Sequence, residues 1–228
     1  MAKRILICLF MLLTFMESQS QHRYRLGSLP SININKKVNS LWKLNLKVES
    51  RQPFRIGTFG QATATKFQYE RADFTLLTSR KVGANSKAAA GMMVRFKNGD
   101  LIHRSIQQYS FVRRYPGFRL GQRFSTDQTF APQTAVQYRF RYRIGADFAL
   151  NGQAVDHREF YLKLTNEYLT IIQGEELDLE IRLVPTLGYA YTDNNKLELG
   201  LDYRLDSILA QNLRSNFWFT VGWFVAIS

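Results

Sequence analysis

In Arg139-Phe140-Arg141-Tyr142-Arg143 three guanidinium groups recur at every second residue, a spacing that lines them up on one face of an extended strand. Guanidinium groups bind carboxylate and phosphate through paired N–H donors, so such a row is suited to attracting an anion. Acid–base or nucleophilic chemistry has fewer candidates. The three histidines are His22, His103 and His157, with Ser105 two residues after His103 and Glu159 two residues after His157. Two-residue spacing on a strand sets side chains side by side without aiming either at a nucleophile, so a polar residue near a turn or rim explains both better than a catalytic site. Cys8 is the one cysteine, and no cluster of His or acidic residues has metal-ligand spacing. No Gly-rich phosphate loop precedes a helix. The sequence therefore indicates no catalytic residue, no metal and no cofactor.

The elements that would position these side chains show period two. Trp42, Leu44, Leu46 and Val48 alternate with Lys43, Asn45, Lys47 and Glu49; Leu197, Leu199, Leu201 and Tyr203 alternate with Glu198, Gly200, Asp202 and Arg204. The run 217–227 places Phe217, Phe219, Val221, Trp223, Val225 and Ile227 on one side. Strands are predicted at 29–35, 42–51, 67–78, 86–97, 101–113, 118–128, 134–144, 158–167, 179–191, 197–205 and 217–227. Turn groups such as Asn98-Gly99-Asp100, Pro116-Gly117 and Asp193-Asn194-Asn195 fall between them. Longer connections are expected at 52–66, 146–157, 168–176 and 207–215, and Pro185 predicts a bulge or break.

Composition bounds the architecture. The chain has 228 residues, with 31 Lys+Arg against 18 Asp+Glu and 45% hydrophobic residues, and it lacks an apolar run long enough for a membrane helix. Lys3 and Arg4, the apolar run Ile5 to Phe15 and Ser18-Gln19-Ser20 have the form of a signal peptide over 1–20, cleaved before Gln21, leaving one domain over 21–228. The remaining balance is 29 basic to 17 acidic residues, or +12. An exported basic chain meets lipid, polysaccharide or an anionic solute sooner than nucleic acid.

Alternation fits both a soluble sandwich and a membrane barrel, and the extremity of the two faces decides between them. One carries large apolar side chains, while the other carries most of the charge. Strands of roughly 9–11 residues span a bilayer when tilted, with apolar residues outward and a polar lumen. Gly91, Gly121, Gly145, Gly188, Gly200 and Gly222 share the polar parity, where a missing side chain lets a sheet curl. Trp42, Tyr138, Tyr142, Tyr203, Phe217 and Trp223 suit interface girdles. The expected fold is all-β: a transmembrane antiparallel up-and-down β-barrel of 10–12 strands, even in number. Both ends would be periplasmic, and 29–35 is the doubtful strand.

The chain resembles the Bacteroidota outer-membrane barrels catalogued as domain of unknown function 2490. The resemblance rests on Leu29-Pro30-Ser31, Trp42 followed by Glu49-Ser50-Arg51, Tyr69-Glu70-Arg71 with Asp73, and Gln107-Gln108-Tyr109. It continues through Arg123-Phe124 with Thr126-Asp127-Gln128, Arg139 to Arg143, Asn166-Glu167, and Glu198 to Tyr203. It implies a Gram-negative outer-membrane barrel, with outer-membrane lipid and the barrel assembly machinery as partners, and no assigned activity. The ending Trp223-Phe224-Val225-Ala226-Ile227-Ser228 departs from the terminal aromatic of usual insertion signals.

In such a barrel the lumen would hold Glu49 and Arg51, Arg71 and Asp73, Arg123 and Asp127, and Arg139, Arg141 and Arg143. It would also hold Glu167, Glu180 and Arg182, and Glu198, Asp202 and Arg204. With Lys43, Lys47, Lys87, Arg95, Arg119, Lys163 and Glu159 the inward set is 14 cations against 8 anions. A salt-bridged plug is the first expectation, because unpaired charge in a narrow interior is expensive. The sharper alternative is a cationic lumen that binds or passes an anionic solute or lipopolysaccharide. A lipid-modifying barrel enzyme and a soluble periplasmic β-sandwich are the other readings.

Overall fold

The computed structural model describes residues 23–210 and 212–227. The predicted signal peptide lies outside the described residues. Eleven strands follow one another: β1 (Arg23–Lys37), β2 (Trp42–Thr58), β3 (Arg71–Lys81), β4 (Ser86–Lys97), β5 (Asp100–Tyr115), β6 (Phe118–Phe130), β7 (Gln137–Ala149), β8 (Glu159–Gln173), β9 (Glu176–Thr192), β10 (Asn195–Asp206) and β11 (Arg214–Ile227). Each pairs antiparallel with the next, and β1 closes the sheet against β11. One continuous closed sheet replaces the two stacked sheets that a sandwich would need.

Closure corrects two expectations. The strand count is odd, and β1 is a full strand of 15 residues rather than the doubtful segment 29–35. An odd count makes β1 and β11 run the same way, so they pair in parallel from Arg23↔Arg214 to Lys36↔Ile227. Parallel bonds are slanted and evenly spaced, yet they satisfy both edges as completely as an antiparallel ladder does. The start of β1 and the end of β11 consequently lie at opposite rims, not on one side. We call these the Arg23 rim and the Lys37 rim.

Local chemistry sets the connections. Asn98 and Gly99 both have positive φ (52° and 88°), the conformation of a two-residue hairpin that follows strand twist. Pro116-Gly117, with Gly117 at φ 82°, turns β5 into β6. The connections 59–70, 131–136 and 207–213 leave from the Arg23 rim, and 150–158 from the Lys37 rim. The expected long link at 168–176 shrinks to residues 174–175, because Tyr168 to Gln173 continue β8 in register with Glu176 to Ile181. At Pro185 no bulge forms. The β9–β10 ladder loses its pairs between Thr186 and Leu183 and resumes in the same register.

The two faces separate by exposure. Phe140 and Leu199 point outward at 51% and 50% exposed, whereas Asp127 and Glu167 point inward at 2% and 1%. The six polar-parity glycines sit on the inner face, and at Gly188 an added Cβ would collide with the Tyr161 ring, so the ring packs flat against the sheet. Tyr203 and Phe217 meet at 5.1 Å with their rings tilted by 33° near the Arg23 rim, and Trp42 lies at the opposite rim beneath the Arg80 guanidinium. Tyr142 departs from the girdle pattern: it sits in mid-strand and donates to Gln122 at 2.8 Å.

Candidate functional site

Strand alternation carries Arg139, Arg141 and Arg143 of β7 into the lumen, opposite Asp127, Ser125 and Arg123 of β6 and opposite Ile171, Leu169 and Glu167 of β8. Two carboxylates organise the row. Asp127 receives Arg139 Nε at 2.5 Å and lies 3.3 Å from Arg141 and 3.4 Å from Arg104. Glu167 receives Arg143 at 2.6 Å and Arg182 at 3.0 Å, with Arg141 at 3.5 Å and Arg123 at 3.9 Å. Each anion is shared among several cations, so neither compensates all the charge around it.

The remaining predicted lumen charges also point inward and, Arg51 apart, pair locally. Asp73 takes a two-pronged contact from Arg95 at 2.7 Å, with Arg71 at 3.9 Å. Arg182 bridges Glu167 to Glu180, which it meets at 2.6 Å. Asp202 holds Arg204 at 2.7 Å. Glu49 accepts from Lys47 at 2.6 Å, and Glu198 from Tyr161 and Lys163 at 2.7 and 2.9 Å. Arg51 takes no carboxylate within bridging distance among the described residues; its guanidinium lies 4.6 Å over the fully buried Trp218 ring.

Enclosed by these side chains is a cavity of about 660 Å³. All fifteen predicted charges but Glu167 and Glu180 line it, and those two stand behind their arginines. Side-chain exposure along β7 rises from 10% at Arg139 to 17% at Arg141 and 36% at Arg143, and Arg119, nearer the Lys37 rim, reaches 54%. The cavity therefore opens toward the Lys37 rim. Toward the Arg23 rim the interior is filled by Trp218 and Leu169, both fully buried, with Asn216 beside Trp218.

Five lining groups are buried without a hydrogen bond in the protein: Nε of Arg51 on β2, and Nε of Arg123, Ser125 Oγ, Nη2 of Arg139 and Nε of Arg141. The last four come from facing positions of β6 and β7. Buried donors without partners are uncommon and costly, and N–H groups of three guanidinium groups lining one cavity suit an oxyanion.

Sequence reasoning missed two members of the site. Arg104 on β5 is 7% exposed and donates to Thr129 at 2.8 Å. Its strand alternates poorly, because Ile106 points inward while Ser105 and Gln107 point outward, which hides the parity. Asp147, the partner of Arg119, lies beyond the predicted end of its strand at 144. Glu159, counted as a lumen anion, instead accepts from Asn151 and the Asp156 backbone at the Lys37 rim.

The histidines are not brought together. His103 lies on β5 three residues from its Arg23-rim end, and His157 is in the 150–158 connection at the other rim. Among the described residues no group of three His, Cys, Asp or Glu could hold a metal ion.

A profile of the protein family of unknown function DUF2490 matches residues 20–212. The chain belongs to that family. The DUF2490 match takes in β1 to β10 and the whole β6–β8 arginine cluster, stopping before β11. Neither curated proteins nor solved structures give a match.

Proposed function

We propose that this DUF2490 chain is an outer-membrane barrel of a Gram-negative bacterium, exported through a cleaved signal peptide, whose lumen is a blind cationic pocket for an anionic solute. The observation that carries the pocket is the set of guanidinium N–H groups of Arg123, Arg139 and Arg141 that lack a hydrogen bond in the protein beside a cavity, with Trp218 fully buried on its Arg23-rim side. The salt-bridged plug and the binding site then share the same arginines. The N–H groups that face Asp127 and Glu167 stiffen the wall, and those without a hydrogen bond hold the ligand.

Membrane residence is supported by the outward apolar face. Hydrocarbon offers backbone groups no partner, so a closed sheet is the β-architecture it tolerates. The shortest strand has 11 residues, enough to cross a bilayer of which a tilted strand needs roughly 9–11. Longer loops usually face the exterior in such barrels, which would put the 59–70, 131–136 and 207–213 connections outside and the cationic mouth in the periplasm. Lipid then surrounds the barrel, and the assembly machinery inserts it. The ligand class is an anionic solute or the phosphates of lipopolysaccharide.

The test uses detergent-refolded protein and inorganic pyrophosphate. A ligand that binds only the folded state raises its melting temperature. Pyrophosphate raises it in the native chain and fails to do so once Arg139, Arg141 and Arg143 are all replaced by Gln. An unchanged shift in that variant removes the pocket. Failure of the chain to fractionate with outer membranes, or absence of heat-modifiable gel migration, removes the membrane barrel.

A further inference from the structure

The outer face is not apolar everywhere. On β5 and β6 the side chains of Ser105, Gln107, Thr126 and Gln128 point outward as two facing pairs, Ser105↔Gln128 and Gln107↔Thr126. They form a closed network. Ser105 and Gln107 donate to the Gln128 amide oxygen, while Thr126 (2.9 Å) and Gln128 (3.3 Å) donate to that of Gln107. Large apolar side chains surround it: Met92 on β4, Tyr109 and Phe124 on one side, Phe130, Tyr138 and Phe140 on the other.

A count of donors and acceptors shows what the network leaves over. Each amide oxygen accepts twice and is saturated, while each amide nitrogen keeps one N–H and each hydroxyl oxygen can still accept. In lipid these leftover groups have no partner, and apolar surface supplies no drive for association there, so hydrogen bonds and close packing hold proteins together. The network contains no carboxylate, Lys or Arg, which makes it a poor match for an ionic headgroup. What it matches is itself. Two unsatisfied N–H donors and two hydroxyl acceptors on one patch meet the acceptors and donors of an identical patch across a two-fold axis. Ala88 and Ala90 of the adjacent β4 lower the surface beside Gln107 and Tyr109, which permits close approach.

We propose that the β4–β6 face of the barrel pairs with the same face of a second copy, with Gln107 near the two-fold axis. The proposal rests on the membrane reading given above. Another outward polar group, Ser28, Ser50 and Gln52 on β1 and β2, lies on a different face and provides the internal control.

The experiment uses the protein in outer membranes, with Cys8→Ser so that no uncleaved chain contributes a second thiol. Oxidation is expected to give a disulfide-linked species of twice the chain mass for Gln107→Cys, and none for Gln52→Cys or for Leu199→Cys on the far side. Gln107→Leu combined with Gln128→Leu is expected to migrate as a monomer in native gels while keeping heat-modifiable migration. A membrane-bound Gln107→Cys chain that stays uncrosslinked overturns the pairing, as does cross-linking through Gln52→Cys instead, linkage to a protein of different mass, or a double variant that remains dimeric. A chain released in soluble form overturns the membrane reading and this proposal with it, so the two failures are told apart.

Discussion

The Trp218 indole lies against the bare Cα of Gly27, so close that a Cβ there would fall 2.8 Å from ring atom Cε3 and 2.6 Å from the Gln52 carbonyl oxygen. That contact lies toward the Arg23 rim, where Trp218 is fully buried, and the register makes it possible by placing Gly27 opposite Trp218 across the parallel β1–β11 ladder.

Gly27→Ala must therefore displace the indole or the β2 backbone. Overpacking of this kind costs about 1–3 kcal/mol, to be read from urea unfolding of the refolded protein. Trp218→Ala removes the stopper instead. Planar-bilayer recordings are expected to show steady conductance for Trp218→Ala where the native barrel passes little current; equal conductance in the two proteins would contradict a blind pocket.

Glu167 holds four arginines within 4 Å at 1% exposure. Replacing it by Gln strands buried charge, and loss of one partner from such a site costs about 3–5 kcal/mol. Arg119→Gln disrupts a pair whose cation is half exposed, where about 0–1 kcal/mol is expected. The two midpoints compared on one denaturation scale check the contrast, and similar losses would mean that the interior is wet throughout.

Access from the Lys37 rim predicts an order of labelling. With single cysteines at 139 and 143 in a Cys8→Ser background, a water-soluble maleimide reacts faster at 143 than at 139, following the exposure of the native arginines. The reverse order would place the mouth at the Arg23 rim.

Spin labels at Phe140 and Leu199 should be quenched by a lipid-soluble relaxation agent, and labels at Arg141 and Asp202 should be shielded from it. Contact of the latter pair with bulk water on an open surface would contradict the enclosed ionic face.

These features were unequally legible in the amino-acid sequence. Strands such as 197–205 declare their two faces because every outward residue is apolar and every inward one is polar or Gly, so Glu198, Asp202 and Arg204 could be placed from spacing alone. β5 could not be read this way: Ser105 and Gln107 face outward and Ile106 inward, which hid both Arg104 and the amide network. The eleven alternating segments correspond to the eleven strands, but their odd number does not follow from antiparallel closure. Alternation reports which face a residue occupies, not the direction in which the first and last strands meet. A salt-bridged interior follows from the charge count, but which charges pair does not, since Glu167 gathers arginines from β6, β7 and β9 that lie up to 44 residues away.

The parallel seam between β1 and β11 has a consequence beyond geometry. A thread that crosses a wall an odd number of times begins on one side and is tied off on the other. Anything hung from the leading strand leaves the barrel at one rim, and anything attached after the trailing strand leaves at the other. The barrel has a built-in polarity, with a tail on each end held apart by the full length of the wall.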